Sequence, residues 1–254
     1  MSARLAAEGL TAGVGARTII RDVTLAFPDR QVTALVGPSG CGKSTLLRCL
    51  NRLHETVPGA HLRGRVLLDG ADALGAGVDA AALRRRVGMV FQRPTPFPGR
   101  WVRDNVAAGV AALGARAPRG AALDARIETE LRRVGLWGEL RDRLHDDAGR
   151  LSGGQQQRLC VARALMHAPE ILLLDEPTAA LDPQATQRIE ELLYALRAEL
   201  TVVVVTHNLQ QAARVSDRTA FLLGGALVEV DDTERVFTAP RDPRTEAFVT
   251  GRFG

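Results

Sequence analysis

The sequence predicts an α/β domain with a mainly parallel sheet, interrupted by a helical insertion around residues 92–165. Three observations predict it. Short apolar runs with strand character, at 31–36, 171–174 and 202–206, alternate with stretches whose apolar residues recur at helical spacing. A glycine-rich turn joins the first of these runs directly to a helical pattern. From 101 to about 144 the spacing is helical and rich in Ala, Arg and Leu, with a Gly/Pro interruption near 114–120. Strand–helix alternation closes into a parallel sheet because each parallel crossover needs a long return connection.

Each element has its own signal. Residues 17–36 alternate as strands do, with a turn at Phe27-Pro28-Asp29-Arg30. After the glycine turn, Leu46, Leu47, Leu50 and Leu53 recur on one helical face. Residues 65–69 read as a strand ending at Gly70, 79–86 as a helix, and 87–91 as a strand. Pro94, Pro96 and Pro98 then break regular structure just after Gln92. Ser152 is placed to cap a helix over 155–166. Residues 183–200 and 209–215 are helical, and 219–223 with 226–230 form a hairpin over Gly224-Gly225.

The chain has 254 residues, 46% hydrophobic, enough for one large domain with a full core. No apolar run approaches the roughly 20 residues of a membrane span. The first ten residues lack the apolar stretch of a secretory signal, so a cytoplasmic protein able to dock on a membrane partner is expected. Cys41, Cys49 and Cys160 have no metal-ligand spacing, which fits a reducing compartment. Net charge is +4 and spread along the chain, which argues a solvated surface and against a nucleic-acid patch. Of 33 basic residues only Lys43 is a lysine. It lies in the glycine turn, where a compact ammonium on a flexible stem fits and a planar guanidinium is too wide.

That turn is Gly37-Pro38-Ser39-Gly40-Cys41-Gly42-Lys43-Ser44-Thr45. Between a strand and a helix, the glycines let backbone N–H groups face inward and hold phosphate oxygens at a helix N-terminus. Lys43 is then expected to reach the β- and γ-phosphates of ATP, and Ser44 to offer its hydroxyl to Mg²⁺. The apolar run at 171–174 ends in Asp175-Glu176-Pro177. In a parallel sheet this brings two carboxylates beside the loop, Asp175 for Mg²⁺ and Glu176 as general base toward water. An adduct on the Cys41 thiol is expected to block nucleotide entry.

Together with Leu151-Ser152-Gly153-Gly154-Gln155-Gln156-Gln157-Arg158, these motifs resemble those of ABC-type ATPases. The resemblance implies a P-loop fold with a small antiparallel β subdomain. Residues 1–91 and 166–254 would form the nucleotide-binding core, and 92–165 the helical subdomain. It implies that Ser152, Gly153, Gly154 and Gln155 serve the γ-phosphate of a nucleotide on a second copy of the chain. Gln92 resembles the glutamine that senses Mg²⁺ and γ-phosphate, His207 the histidine that contacts γ-phosphate, and Asp182 the aspartate of a loop crossing the dimer interface. Ala179 stands where that loop usually has serine. Val14 stands where the family usually stacks an aromatic ring on adenine, and no aromatic precedes Phe27. Losing such a ring removes about 1–3 kcal/mol of base affinity. Binding then rests more on the phosphates, and weaker discrimination among nucleotides is expected.

Further segments resemble the ATP-binding subunits of bacterial phosphate importers. They are Leu50-Asn51-Arg52-Leu53, Val57-Pro58-Gly59-Ala60, Val90-Phe91-Gln92-Arg93-Pro94-Thr95-Pro96-Phe97-Pro98, residues 206–217, and Thr250-Gly251-Arg252-Phe253-Gly254. That likeness implies a homodimer of such chains, two integral membrane permease subunits, and an external phosphate-binding protein reached only indirectly. It implies a peripheral position on the cytoplasmic face of the membrane and no nucleic-acid partner. Residues 99–103 are more basic than the family's usual stretch. An importer of another solute, such as a polar amino acid, shares every catalytic motif and stands as the alternative.

Overall fold

The computed structural model describes residues 3–252, without the side chains of Ala112 and Ala115. Phe253 and Gly254, part of the terminal likeness above, lie outside it. Two sheets carry the fold. A four-stranded antiparallel sheet, in the order β2-β1-β4-β5, contains β1 (Ala3–Val14), β2 (Arg17–Pro28), β4 (Ala60–Leu68) and β5 (Ala71–Asp72). A six-stranded sheet runs β10-β9-β3-β8-β7-β6. Its strands are β3 (Val32–Val36), β6 (Val87–Val90), β7 (Ile171–Asp175), β8 (Thr201–Val205), β9 (Arg218–Leu223) and β10 (Ala226–Asp232). All its pairings are parallel except the β9–β10 hairpin.

The parallel strands are apolar without alternation because both faces are covered. Their side chains still divide by the two-residue period of a strand. Val32, Ala34, Leu172, Leu174, Val202 and Val204 join one core cluster, which reaches into the helices. Leu35, Ile171, Leu173, Val203 and Val205 join the other, shared with the antiparallel sheet.

Ten helices surround the sheets in the described residues. They are α1 (Lys43–Leu50), α2 (Ala80–Arg86), α3 (Val102–Ala107), α4 (Ala121–Arg133) and α5 (Trp137–Leu140), then α6 (Gly153–Leu165), α7 (Pro183–Leu196), α8 (Leu209–Val215), α9 (Thr233–Thr238) and α10 (Pro243–Val249). No described helix is long and apolar enough to cross a membrane. The helical run expected over 101–144 is broken three ways: α3, a 3₁₀ stretch kinked at Gly114, and α4 with α5. Strand β1 has no clear sequence signal. Its Ala- and Gly-containing run is held by two neighbours, β2 and β4, with register shifts on both sides.

The two sheets meet at the β9–β10 turn. Arg21 N–H donates to the Gly225 carbonyl at 2.8 Å. Gly225 has φ of 87°, and a Cβ there would lie 2.3 Å from the Ile19 carbonyl oxygen. Gly225→Ala therefore meets both a left-handed backbone and a backbone clash. We expect it to lower stability by about 2 kcal/mol or more in urea titration.

Candidate functional site

The strand order decides the site. In sequence along the sheet, β3, β8, β7 and β6 are parallel neighbours, so their carboxyl ends open on one edge. The phosphate loop follows β3, His207 follows β8, Asp175 ends β7 with Glu176 directly after it, and Gln92 follows β6. Ligands of open α/β sheets bind at such carboxyl edges.

The loop is built around its lysine. Lys43 is buried, and its Nζ donates to the carbonyls of Gly37 at 2.8 Å and Pro38 at 2.9 Å. Gly42, the N-cap of α1, is left-handed with φ of 104°. A Cβ there would sit 2.6 Å from Ile20 Cγ2, so β2 lies directly behind the loop.

Ser44 Oγ donates to Asp175 Oδ1 at 2.6 Å. Asp175 is 3% exposed, and Arg48 Nη2 stands 3.7 Å from its Oδ2. Burial pushes the Asp175 carboxyl above its ordinary range, against the Ser44 hydrogen bond and the Arg48 charge. Glu176 turns the other way. It adopts φ of 45°, and its N–H donates to the Val205 carbonyl at 2.9 Å. Its Oε2 accepts from Gln92 Nε2 at 3.1 Å and lies 3.1 Å from His207 Nδ1. No partner stands at Oε1 among the described residues. Lys43, Ser44, Gln92, Asp175, Glu176 and His207 are thus brought together.

Beside the loop opens a cleft of about 300 Å³. Arg17 and Ile19 of β2, Ser39, Gly40, residues 42–45 and Glu176 line it. Val14 does not. It ends β1, paired across the two-residue hairpin with Arg17.

The segment from Ser152 lies elsewhere, outside the cleft lining. Ser152 caps α6 through a reciprocal box: its Oγ accepts from Gln155 N–H at 3.3 Å, and Gln155 Oε1 accepts from Ser152 N–H at 3.0 Å. Gly154 lets α6 approach α7, since a Cβ would lie 2.6 Å from Ala185 Cβ. Gly153 faces Leu181 at ordinary contact distance. Asp182 caps α7, accepting from the N–H groups of Gln184 at 3.0 Å and Ala185 at 2.9 Å. Within one chain, then, Ser152 and Asp182 have structural work as helix caps.

Comparison with known proteins places this arrangement. A family model described as ABC transporter matches residues 20–179. The chain belongs to the ABC transporter family. Over its whole length it is 52% identical to the phosphate import ATP-binding protein PstB of Mycolicibacterium smegmatis, itself fully covered. The corresponding PstB of Koribacter versatilis is 50% identical, again with both chains fully covered. The solved structure of cbiO1 from Clostridium perfringens, part of the ABC transporter complex cbiONQ, superposes with a TM-score of 0.80 at 25% identity. That match covers 99% of this chain and 97% of cbiO1. The fold is that of an ABC ATPase, as the motifs predicted.

Four site-forming residues of this ABC chain escape a motif reading. Arg48 follows Ser44 by four positions, so the helical period alone puts both on one face toward Asp175. Arg17 and Ile19 share one face of β2, but nothing local says that this face meets the loop. Glu139 is the fourth. Its carboxylate accepts from Gln155 Nε2 at 2.8 Å, Arg158 Nη2 at 3.0 Å and Arg188 Nη1 at 3.0 Å. It thereby joins α5, α6 and α7. Helical spacing links Gln155 and Arg158, three apart on α6, but nothing in the sequence joins them to Glu139 or Arg188.

Burial opposes the Glu139 charge, but the hydrogen bonds from Gln155 and Arg158, with the Arg158 and Arg188 charges, hold its carboxyl below the usual range. A depressed folded value means its contribution is complete above the unfolded pKa near 4.3 and is lost as pH falls through the folded value. We expect Glu139→Gln to cost about 1–3 kcal/mol at neutral pH. The difference from wild type should shrink in denaturation titrations carried below about pH 4.

Cys41 is buried inside the loop, with Lys43 Nζ 3.8 Å from its Sγ. Burial raises its thiol pKa despite the lysine, and Cys49, also buried, is pushed up to about 12. Iodoacetamide should therefore label native Cys41 and Cys49 far more slowly than the urea-unfolded chain, as read by peptide mass mapping.

Proposed function

We propose that this chain is the ATP-hydrolysing subunit of an importer of inorganic phosphate. The convergence of Lys43, Ser44, Asp175 and the Glu176–Gln92–His207 group at one sheet edge carries the catalytic reading. The choice of solute is supported by the full-length identity to phosphate import ATP-binding proteins.

In this reading the triphosphate lies along residues 37–45. Phosphate oxygens compete with the Gly37 and Pro38 carbonyls for Lys43 Nζ, and loop N–H groups hold the remaining oxygens. Ser44 and Asp175 offer hard oxygen donors 2.6 Å apart. That set fits Mg²⁺, which takes one or two protein oxygens alongside phosphate oxygens. Gln92 stands ready as a further oxygen donor. Bound there, Mg²⁺ would neutralise charge on the phosphates. Glu176 is the general base. Gln92 and His207 hold its Oε2, which leaves Oε1 to take the proton of water attacking the γ-phosphorus. When the β–γ bond breaks, ADP leaves with the bridging oxygen's charge, and His207 steadies the transferred phosphoryl group.

One chain supplies half of each site. Ser152, Gly153, Gly154 and Gln155 of a second copy would face the γ-phosphate, and the loop carrying Asp182 would cross between the two. Domain division follows the same lines: residues 1–91 and 166–254 bind nucleotide, and 92–165 carry the signature helix. A groove between β6 and α6, lined by Met89, Phe91, Phe97 and Cys160, suits docking of a membrane permease segment. Phe91 and Phe97 are 38% and 44% exposed there. Two permease subunits would hold the dimer at the cytoplasmic face, and the external phosphate-binding protein would act on the far side.

Glu176→Gln should bind ATP with near-normal affinity while hydrolysis by the permease complex falls at least ~100-fold. In a strain lacking the gene, wild type should restore uptake of radiolabelled phosphate and Glu176→Gln should not. Restoration of polar amino-acid uptake instead would transfer the catalytic reading to another importer.

A further inference from the structure

The phosphate end of the cleft is crowded with fixed groups, while its other end is nearly bare. No aromatic side chain lines the cleft. What stands beyond the loop is Ile19 and Arg17, two positions apart on one face of β2. Arg17 is exposed, and among the described residues its guanidinium has no hydrogen-bond or ion-pair partner.

Its backbone, by contrast, is pinned. Ile20 backs directly on Gly42 of the loop. The Ile19 carbonyl abuts Gly225, and Arg21 N–H donates to the Gly225 carbonyl at 2.8 Å. On the other side of Arg17, the hairpin tip is tied by Gly15 N–H to the Gly59 carbonyl at 2.9 Å. The Arg17 Cα is thus fixed beside the loop while its side chain is free to lie across the opening.

We infer that Arg17 is the platform for the nucleobase, its planar guanidinium stacking on the base above Ile19. A guanidinium is flat, weakly hydrated and permanently charged, and it stacks on π faces. Nucleic-acid-binding proteins use arginine planes on bases in the same way as aromatic rings. The phosphate end already has Lys43 and the loop N–H groups, so the planar group serves best where the ligand is planar. Every base has a π face, so such a platform accepts ATP and GTP alike. This inference rests on the reading that a nucleoside triphosphate enters the cleft.

The test is equilibrium titration of the full-length chain with ATP, GTP and ribose 5-triphosphate, which carries no base. Arg17→Ala should weaken ATP and GTP by about tenfold each and leave ribose triphosphate unchanged. Arg17→Lys, which keeps the charge without the plane, should behave like Arg17→Ala, and Arg17→Trp should recover ATP affinity. Equal loss for all three ligands would make Arg17 a phosphate ligand and overturn the proposal. So would unchanged affinities in Arg17→Ala. If wild type binds none of the three, the cleft is not a nucleotide site, and the Arg17 role falls with it.

Discussion

The hydrogen bond from Ser44 to Asp175 holds this site together. It links the first turn of α1 to the end of β7 across the intervening strand β8. Its strength comes from where it sits. A carboxylate that is 3% exposed gives up most of its hydration, and burial alone would drive it toward the neutral form. Ser44, Arg48 and the loop lysine oppose that tendency. The same pair also fixes the loop against the strand edge, so the geometry of residues 37–45 and that of Glu176 are not independent. Moving either strand end would disturb both. The continuous apolar register of β7 on β8, and of β8 on β3, is what prevents this.

A second anchor governs the start of α6. The capping box at Ser152 orients the start of α6, but it needs the Gln155 side chain to bridge, and Glu139 holds that side chain in turn. Glu139 also receives Arg158 from within α6 and Arg188 from α7. The start of α6 and the helix capped by Asp182 are therefore joined through one carboxylate as well as through the close Gly154–Ala185 approach. Hydrogen bonds to a charged acceptor are the stronger kind, and three converging donors restrict its rotamer. A displacement of α7 would reach Ser152 through this contact, which gives the two halves of the chain a mechanical connection distinct from the sheet.

The sequence made the central sheet and its catalytic edge legible because they rest on local signals. Continuous apolar runs mark strands buried on both faces, a glycine loop between strand and helix marks a phosphate cradle, and a carboxylate at a strand end marks what faces that cradle. The helical insertion was legible in kind, but not in its breaks, because the kink at Gly114 depends on backbone geometry that composition does not encode. Strand β1 was not legible. Its Ala-rich run is a strand only because β2 and β4 flank it, and tertiary pairing outweighs weak β propensity. Arg17 was equally hidden. Strand alternation gives its face, yet only the packing of Ile20 on Gly42 reveals what that face meets.

Asp175 and Glu176 show how one backbone angle separates two environments. Along a strand, successive side chains point to opposite faces. Continued extended geometry would send Glu176 across the sheet from Asp175, away from the Asp175–Ser44 pair and the loop. Instead Glu176 adopts φ of 45°, a left-handed conformation that costs a non-glycine residue about 1–3 kcal/mol. The hydrogen bond from its N–H to the Val205 carbonyl keeps β7 joined to β8 through this turn. The result is a side chain that leaves the strand direction and meets Gln92 and His207, which follow β6 and β8 on either side of β7. Asp175 stays buried beside Ser44, while Glu176 remains 19% exposed at the open edge. Local strain thus places two neighbouring carboxylates in different dielectric surroundings. One carboxylate is thereby held in a buried hydrogen bond to Ser44, and the other keeps Oε1 without a partner among the described residues.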